Sequence, residues 1–196
     1  MTSGECDTGA RSTGGELGRS STLESNVKYL LAMPIVVVLA VTAWAHLPAR
    51  SLPHDARIDE VVVHKADRRI ELLEGDRVVA RYRIALGRQP VGPKRELGDG
   101  RTPEGRYIID FHKPDSDFHR ALHVSYPSER DIAEADRRRT VAGGAIMVHG
   151  TKPELEKYGR FHAFFDWTDG CIAVTNSEID QIYRVVRDGT PIRIQP

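Results

Sequence analysis

Cysteine is scarce in this chain, which has only Cys6 and Cys171. Two cysteines exclude a small domain framed by several disulfides and a zinc site built from four thiolates. An excess of charge of either sign is also absent, because 28 Lys and Arg side chains balance 28 Asp and Glu side chains. A balanced chain lacks the broad basic surface that nucleic-acid binding requires, so we expect no nucleic-acid partner.

Large apolar side chains are nearly missing from residues 1–28, which are rich in Ser, Thr and Gly. Such a segment buries too little surface to offset its ordering entropy, so we predict a disordered N-terminal tail. Residues 29–47 contain no Asp, Glu, Lys or Arg and are long enough for a helix to cross a bilayer core. We predict a transmembrane signal anchor here, and the alternative is a signal peptide cleaved after Ala43-Trp44-Ala45. Either interpretation puts the rest of the chain outside the cytoplasm, provided that the tail stays inside.

Short strands dominate the pattern that follows residues 48–57, a segment with two prolines and several charges that we interpret as a linker. Val-rich and alternating stretches bounded by turn residues predict strands. The predicted strands cover 58–64, 69–73, 77–86, 106–111, 121–126, 145–148 and 191–194, and the predicted helices cover 128–139 and 177–186. We therefore predict that residues 58–196 form a mainly β domain, a β-sandwich or barrel-like structure with one or two short helices.

The strongest chemical signal lies in the last third of the chain, around Cys171. Gly170 precedes this cysteine, and glycine permits the positive φ or close backbone approach of a tight turn. A thiol at such a turn is a candidate nucleophile when a neighbouring imidazole takes up its proton. His149 is the best candidate among eight histidines, because it ends an apolar strand and lies 22 residues before Cys171. The plain alternatives are a buried apolar cysteine and a hydrogen-bonded histidine at a strand end.

A metal site is not predicted from these residues. Zinc would have to be bound by His149, His162 and Cys171, but no second cysteine and no His-x-Glu pattern completes a recognisable ligand spacing.

Several motifs, taken in their order along the chain, resemble those of the L,D-transpeptidase (YkuD-like) catalytic domain family. They are Leu86-Gly87, Thr102-Pro103-Glu104-Gly105, His149-Gly150 and Thr168-Asp169-Gly170-Cys171-Ile172. The resemblance covers nearly all of residues 58–196, and residues 167–176 look like a bacterial subgroup, some members of which are thought to hydrolyse wall linkages. Two positions depart from the family pattern: Asp169 replaces a histidine, and Ala173 stands where many members have Arg or Asn.

The resemblance implies a cysteine peptidyltransferase that acts on peptidoglycan stem peptides and needs no metal or organic cofactor. Cys171 is then the nucleophile, and His149 is the general base and acid. The backbone carbonyl of Gly150 is expected to orient the imidazole, and the backbone N–H of Gly170 to stabilise the oxyanion.

Substrate contacts are expected from the residues beside the cysteine and from one histidine of the groove, namely Trp167, Thr168, Asp169 and His123. The implied reaction joins two stems by a 3→3 cross-link and releases D-Ala. Its implied role is in peptidoglycan biosynthesis and in cell shape. The alternatives are an L,D-carboxypeptidase or wall hydrolase with the same Cys–His site, and a non-catalytic, membrane-tethered peptidoglycan-binding module. We expect a monomer anchored in the cytoplasmic membrane, with its catalytic domain on the periplasmic or other extracytoplasmic side, and we expect carbapenems to acylate the cysteine.

Overall fold

The structure, a computed structural model, describes residues 20–47, 51–53 and 55–196. The chain divides into two compact units between Trp44 and Ala45. The first unit contains most of helix α1, Ser20–His46, and the second contains the sheet described below. Cys6 and the rest of residues 1–19 lie outside the described residues.

Helix α1 differs from the sequence-based prediction at its start, because residues 20–28 are helical rather than part of a disordered tail. No Gly or Pro occurs between Ser20 and Met33, so no residue breaks the helix before Pro34. Among the described residues, no helix combines the length and the apolar character that crossing a membrane requires. The transmembrane segment over residues 29–47 stays a prediction.

The elements of the second unit are short, as the sequence predicts. Its strands are β1 (Glu60–His64), β2 (Arg69–Glu74), β3 (Arg77–Arg83), β4 (Gly105–Ser116), β5 (His119–Val124), β6 (Met147–His149), β7 (Ile172–Ala173) and β8 (Pro191–Gln195). Its helices are α2 (Glu129–Arg137), α3 (Pro153–Glu156), a 3₁₀ helix (Gly159–Phe164) and α4 (Asn176–Val185). A mainly β domain with a few short helices confirms the predicted fold class.

The eight strands form one sheet in the order β3-β2-β1-β8-β4-β5-β6-β7. Strands β1 and β8 are parallel, as are β6 and β7, and the other neighbours are antiparallel. The first residues of the long strand β4 pair with β8 and the later ones pair with β5, and the β4–β5 ladder contains two register shifts. Just after β3, Ala85 exchanges both backbone hydrogen bonds with Ala173 of β7, each 2.9 Å long. The two ends of the sheet therefore meet, which agrees with the barrel-like part of the prediction.

The two faces of strands β5, β6 and β7 have different roles. Leu122, Val148 and Ile172 are neighbours across these strands, and all three are buried in the hydrophobic core. Because successive side chains of a strand point to opposite faces, His149 and Ala173 lie on the other face. This second face carries the candidate site.

A buried cation fixes the loop that links β3 to β4. Lys65, directly after β1, is 2% exposed, and its Nζ donates to the carbonyl oxygens of Gly92 at 2.6 Å and Thr102 at 2.9 Å. The same Nζ forms an ion pair with the Glu104 carboxylate at 2.7 Å. Burial lowers the pKa of Lys65, and the Glu104 carboxylate opposes that shift. Three acceptors thus compensate one buried charge and tie the middle and the end of the loop to β1.

We expect Lys65→Met to lower the free energy of unfolding of the full chain by about 3 kcal/mol, because removing one partner of a buried pair leaves the other uncompensated. Urea unfolding measures the change. The matched control is Arg77→Gln, which breaks an exposed ion pair with Glu74 and should cost less than about 1 kcal/mol. Equal, small losses in both variants would show that the Lys65 cluster does not stabilise the fold.

Candidate active site

The candidate nucleophile and base meet on adjacent parallel strands. In the β6–β7 ladder, Val148 pairs with Ile172 and His149 pairs with Ala173. Cys171 comes directly before β7, two residues before Ala173, so its side chain lies on the same face as His149. The strand register therefore brings the two predicted residues to one face, diagonally across neighbouring strands.

The His149 imidazole is held in one tautomer by the backbone that follows it. Its Nδ1 lies 2.6 Å from the carbonyl oxygen of Gly150, and because a carbonyl only accepts, Nδ1 carries the hydrogen and Nε2 keeps its lone pair. The ring packs against Phe118, with centroids 4.4 Å apart, and against Trp167 at 5.8 Å. Burial lowers the pKa of His149 to about 4, although the Gly150 hydrogen bond opposes the shift. The imidazole is therefore neutral at neutral pH and can accept a proton at Nε2.

The Cys171 thiol is also neutral at rest. Burial raises the pKa of the thiol, the backbone N–H of Met147 lowers it, and the Asp169 carboxylate raises it further. The sulfur is 3.6 Å from the carbonyl oxygen of Ala145, and the described contacts include no hydrogen bond between the sulfur and His149. The site consequently holds a protonated thiol beside a free base, rather than a preformed thiolate–imidazolium pair.

Only glycine fits at the position that follows the base. A Cβ on Gly150 would lie 2.5 Å from Oδ1 of Asn176 and 2.9 Å from the carbonyl oxygen of Phe118. The same Asn176 oxygen accepts a 2.8 Å hydrogen bond from the backbone N–H of Thr151. The carbonyl that orients His149 therefore belongs to a tightly packed and hydrogen-bonded segment.

The turn before Cys171 is braced by Thr168, which the sequence analysis assigned to substrate binding. Thr168 is buried, and its hydroxyl donates to the carbonyl oxygen of Cys171 at 2.8 Å. The hydroxyl oxygen also accepts from the backbone N–H of Gly170 at 3.2 Å, so that N–H is not free to bind an oxyanion here. Gly170 has a φ of +125°, and a Cβ on it would lie 2.5 Å from the carbonyl oxygen of Arg101. The structure thus gives Thr168 and Gly170 roles within the turn itself.

Two other predicted substrate residues lie at the rim of the site. Asp169 is exposed and forms an ion pair with Arg88, with Nη2 and Oδ1 2.8 Å apart. Trp167 is half-buried and lies directly beside the His149 ring. Their substrate contacts stay a prediction.

His123 lies on the same face but farther from the nucleophile. It pairs with Met147 across β5 and β6, which puts it two strand spacings, about 10 Å, from Cys171. Its Nδ1 is 2.6 Å from Oδ1 of Asp110, and its ring stacks on Phe111 with centroids 4.5 Å apart. His123 is therefore a wall of the groove rather than a neighbour of the reacting atoms.

Phe118 and Ala145 belong to the site but are not assigned to it by the sequence analysis, which considered His162, a third residue of the site, only as a zinc ligand. His162 is 4% exposed, its ring is 6.3 Å from that of Trp167, and neither of its ring nitrogens has a hydrogen-bond partner. Burial lowers the pKa of His162 to about 4, and nearby His149 lowers it further. No local motif marks these three residues, because long-range packing brings them to the site. Among the described residues, no three His, Cys, Asp or Glu side chains are grouped as a metal site.

Comparisons with known proteins support this fold class and identify the family. The sequence model of the family described as YkuD: L,D-transpeptidase catalytic domain matches residues 58–194. The chain therefore belongs to the L,D-transpeptidase catalytic domain family. The Escherichia coli K12 protein named "Putative L,D-transpeptidase YafK" is 27% identical over 132 residues, which cover 64% of this chain and 46% of that protein. The chain thus matches about half the length of this relative.

Solved structures support the same fold. The helical cell shape determining protein Pgp2 from Campylobacter jejuni is 24% identical and superposes with a TM-score of 0.54, over 79% of this chain and 53% of that one. The structure of its K307A mutant gives a TM-score of 0.54 at 23% identity, over 79% and 52% of the two chains. The subgroup suggested by residues 167–176 stays a prediction.

We expect Gly150→Ala to lower the free energy of unfolding by about 1–3 kcal/mol, because the added methyl group has no space. The control is Gly144→Ala, where the nearest atom to a new Cβ is 3.8 Å away. Urea unfolding of the two full-length variants tests the difference. Equal stabilities would contradict the tight packing described for Gly150.

Acid should destabilise the chain through its two buried histidines. An unfolded histidine takes up a proton near pH 6.5, whereas folded His149 and His162 stay neutral down to about pH 4. The unfolded state then binds more protons between these values, so stability falls as the pH falls from about 6.5 to about 4. Each histidine contributes up to about 3 kcal/mol to this loss.

The measurement is urea unfolding at several pH values in that window. His162→Gln should make the loss of stability with falling pH smaller. Val91→Ala, at an exposed residue that carries no proton to titrate, is the control and should leave the slope unchanged. An unchanged slope in His162→Gln would contradict the buried, neutral state of His162.

Proposed function

We propose that this chain is a peptidoglycan L,D-transpeptidase that forms 3→3 cross-links between stem peptides outside the cytoplasm and releases D-Ala. The observation that carries the proposal is the Nδ1–carbonyl contact of 2.6 Å that fixes His149, with Cys171 on the same face of the sheet. Membership of the L,D-transpeptidase family supports this chemistry. The name of the Escherichia coli relative refers to L,D-transpeptidase activity in general.

In the first step, Cys171 attacks the carbonyl between the third stem residue, a diamino acid, and the terminal D-Ala. The thiol turns away from the Ala145 carbonyl and gives its proton to Nε2 of His149 as its sulfur bonds to the carbonyl carbon. Because both groups are neutral at rest, proton transfer accompanies the attack. The backbone N–H of Cys171 is the candidate donor to the oxyanion, since the Gly170 N–H is bound to the Thr168 hydroxyl.

In the second step, the tetrahedral intermediate collapses and the C–N bond to D-Ala breaks. The protonated His149 gives its proton to the departing amine, and an acyl-thioester remains on Cys171. An amine of a second stem attacks this thioester and loses a proton to His149. Collapse forms the new amide and returns the proton to the Cys171 sulfur. If water attacks instead, the same steps give an L,D-carboxypeptidase or a hydrolase.

A peptidoglycan-binding module without catalysis is the alternative from another class. Such a module requires a groove for the stem peptide but no nucleophile beside an oriented base. The His149 imidazole is neutral and can accept a proton at Nε2, and the Cys171 thiol lies on the same face of the sheet. This arrangement favours an enzyme over a binding module.

The test incubates the full chain with a purified tetrapeptide muropeptide and identifies the products by mass spectrometry. We expect a cross-linked dimer that has lost one D-Ala. Cys171→Ala should abolish the product, and His149→Gln should slow its formation by about 10²–10⁴-fold. His64→Gln, on the distant strand β1, is the control for a histidine substitution.

A carbapenem should add its mass to Cys171 in the wild-type chain and not in Cys171→Ala.

Other products would change the assignment. A tripeptide without dimer indicates the carboxypeptidase. An unchanged substrate together with measurable binding supports the binding module, and a carbapenem adduct that persists in Cys171→Ala contradicts the role of this thiol.

A further inference from the structure

An exposed ion pair stands at the rim of the Cys–His site. Arg88 and Asp169 project from adjacent extended segments, where the backbone N–H of Arg88 donates to the carbonyl oxygen of Thr168 at 3.0 Å. Their side chains meet at 2.8 Å, although the Arg88 side chain is 64% exposed and that of Asp169 is 82% exposed. The pair is therefore fixed by its backbone and open to an incoming molecule.

The position of this pair ties it to the reacting atoms. Asp169 is two residues before Cys171, so their Cα atoms are at most about 7 Å apart. The Asp169 carboxylate also contributes to the raised pKa of the Cys171 thiol, which places its charge within reach of the sulfur. An ion pair exposed to this extent adds little to stability, so a ligand can exchange its partners at low cost. A role in binding at the site therefore explains the ion pair better than a contribution to the stability of the fold.

We propose that Arg88 and Asp169 form a subsite for a zwitterionic amino-acid terminus on the stem peptide, with Arg88 binding its carboxylate and Asp169 binding its ammonium. The guanidinium is suited to a carboxylate because it can donate two parallel hydrogen bonds. A bound zwitterion replaces the Arg88–Asp169 ion pair by two new ones, Arg88 with its carboxylate and Asp169 with its ammonium. The net charge of the site does not change. This inference rests on the proposed function, because it concerns the substrate of the same site.

The chemistry of the stem peptide identifies which residue would occupy the subsite. The third residue supplies the carbonyl that Cys171 attacks, and its side chain begins one carbon away from that carbonyl. A diaminodicarboxylic acid carries a free ammonium and a free carboxylate together at the end of this side chain. Lysine at the same place carries only the ammonium and leaves Arg88 without a new partner. The subsite therefore selects stems with a diaminodicarboxylic acid.

The assignment also gives a reason for a departure from the family. Asp169 stands where the resemblance leads one to expect a histidine, and its acidic side chain can bind an ammonium, which a protonated histidine would repel. An ammonium bound to Asp169 neutralises the carboxylate beside Cys171. Occupation of the subsite would then favour ionisation of the nucleophile at the moment when its substrate is present.

The test measures peptide binding by calorimetry with the full chain carrying Cys171→Ala, so that no turnover occurs. Three tetrapeptides differ only at the third side chain, which is diaminopimelic acid, its side-chain carboxamide or lysine. We expect the diaminopimelic acid peptide to bind about tenfold more tightly than the other two. This ratio of dissociation constants corresponds to a difference of about 1.4 kcal/mol in binding free energy. Arg88→Gln should remove this preference, and Arg88→Lys should keep part of it. Asp169→Asn should weaken binding of all three peptides, because each carries the ammonium.

A matched control substitutes an exposed arginine of another ion pair. Arg77→Gln, in the same Cys171→Ala chain, should keep the tenfold preference. Equal affinities for the three peptides, no measurable binding, or a preference that survives Arg88→Gln would overturn the subsite. These outcomes differ from failure of the proposed function, which is loss of all turnover in the wild-type chain. A wild-type chain that cross-links all three stems equally well would keep the function and overturn the subsite.

Discussion

The pair of hydrogen bonds between Ala85 and Ala173 is the constraint on which the rest of the site depends. Strand β7 has only two residues, and without this contact it would be held on one side alone, by β6. The contact joins the two ends of the sheet and fixes the parallel register that aligns His149 with Ala173. Cys171 takes its position from that register. A short strand can carry a nucleophile here because it is paired on both sides.

The electrostatics of the site keep the proton on the sulfur of Cys171 in the free protein. Burial disfavours the charged form of both reacting groups, which lowers the pKa of His149 and raises that of Cys171. The Gly150 carbonyl leaves one nitrogen free to act as a base, and Phe118 and Trp167 exclude water from the ring. The activation of the thiol is thus coupled to the attack rather than completed before it.

Much of the fold and the centre of the site could be predicted from the sequence, because the signals are local. The Cys171 motif, the His149-Gly150 pair and the alternating strands each occupy a few adjacent residues. Phe118 and His162 could not be found in this way, since pairing and packing over long stretches of chain bring them to the site. The hydrogen bond that occupies the Gly170 N–H depends on the rotamer of Thr168, which no sequence pattern specifies. Strand β7 is too short to give a periodic signal.

The protonated state of Cys171 also affects how long the nucleophile survives. Peroxides and stray disulfides react with thiolates far more readily than with thiols. A sulfur whose pKa is raised by burial is therefore a poor target for oxidation while the groove is empty. If Cys171 acts as proposed, the same burial protects it between reactions, whereas a cysteine of low pKa would be lost step by step to sulfenic and sulfinic acids.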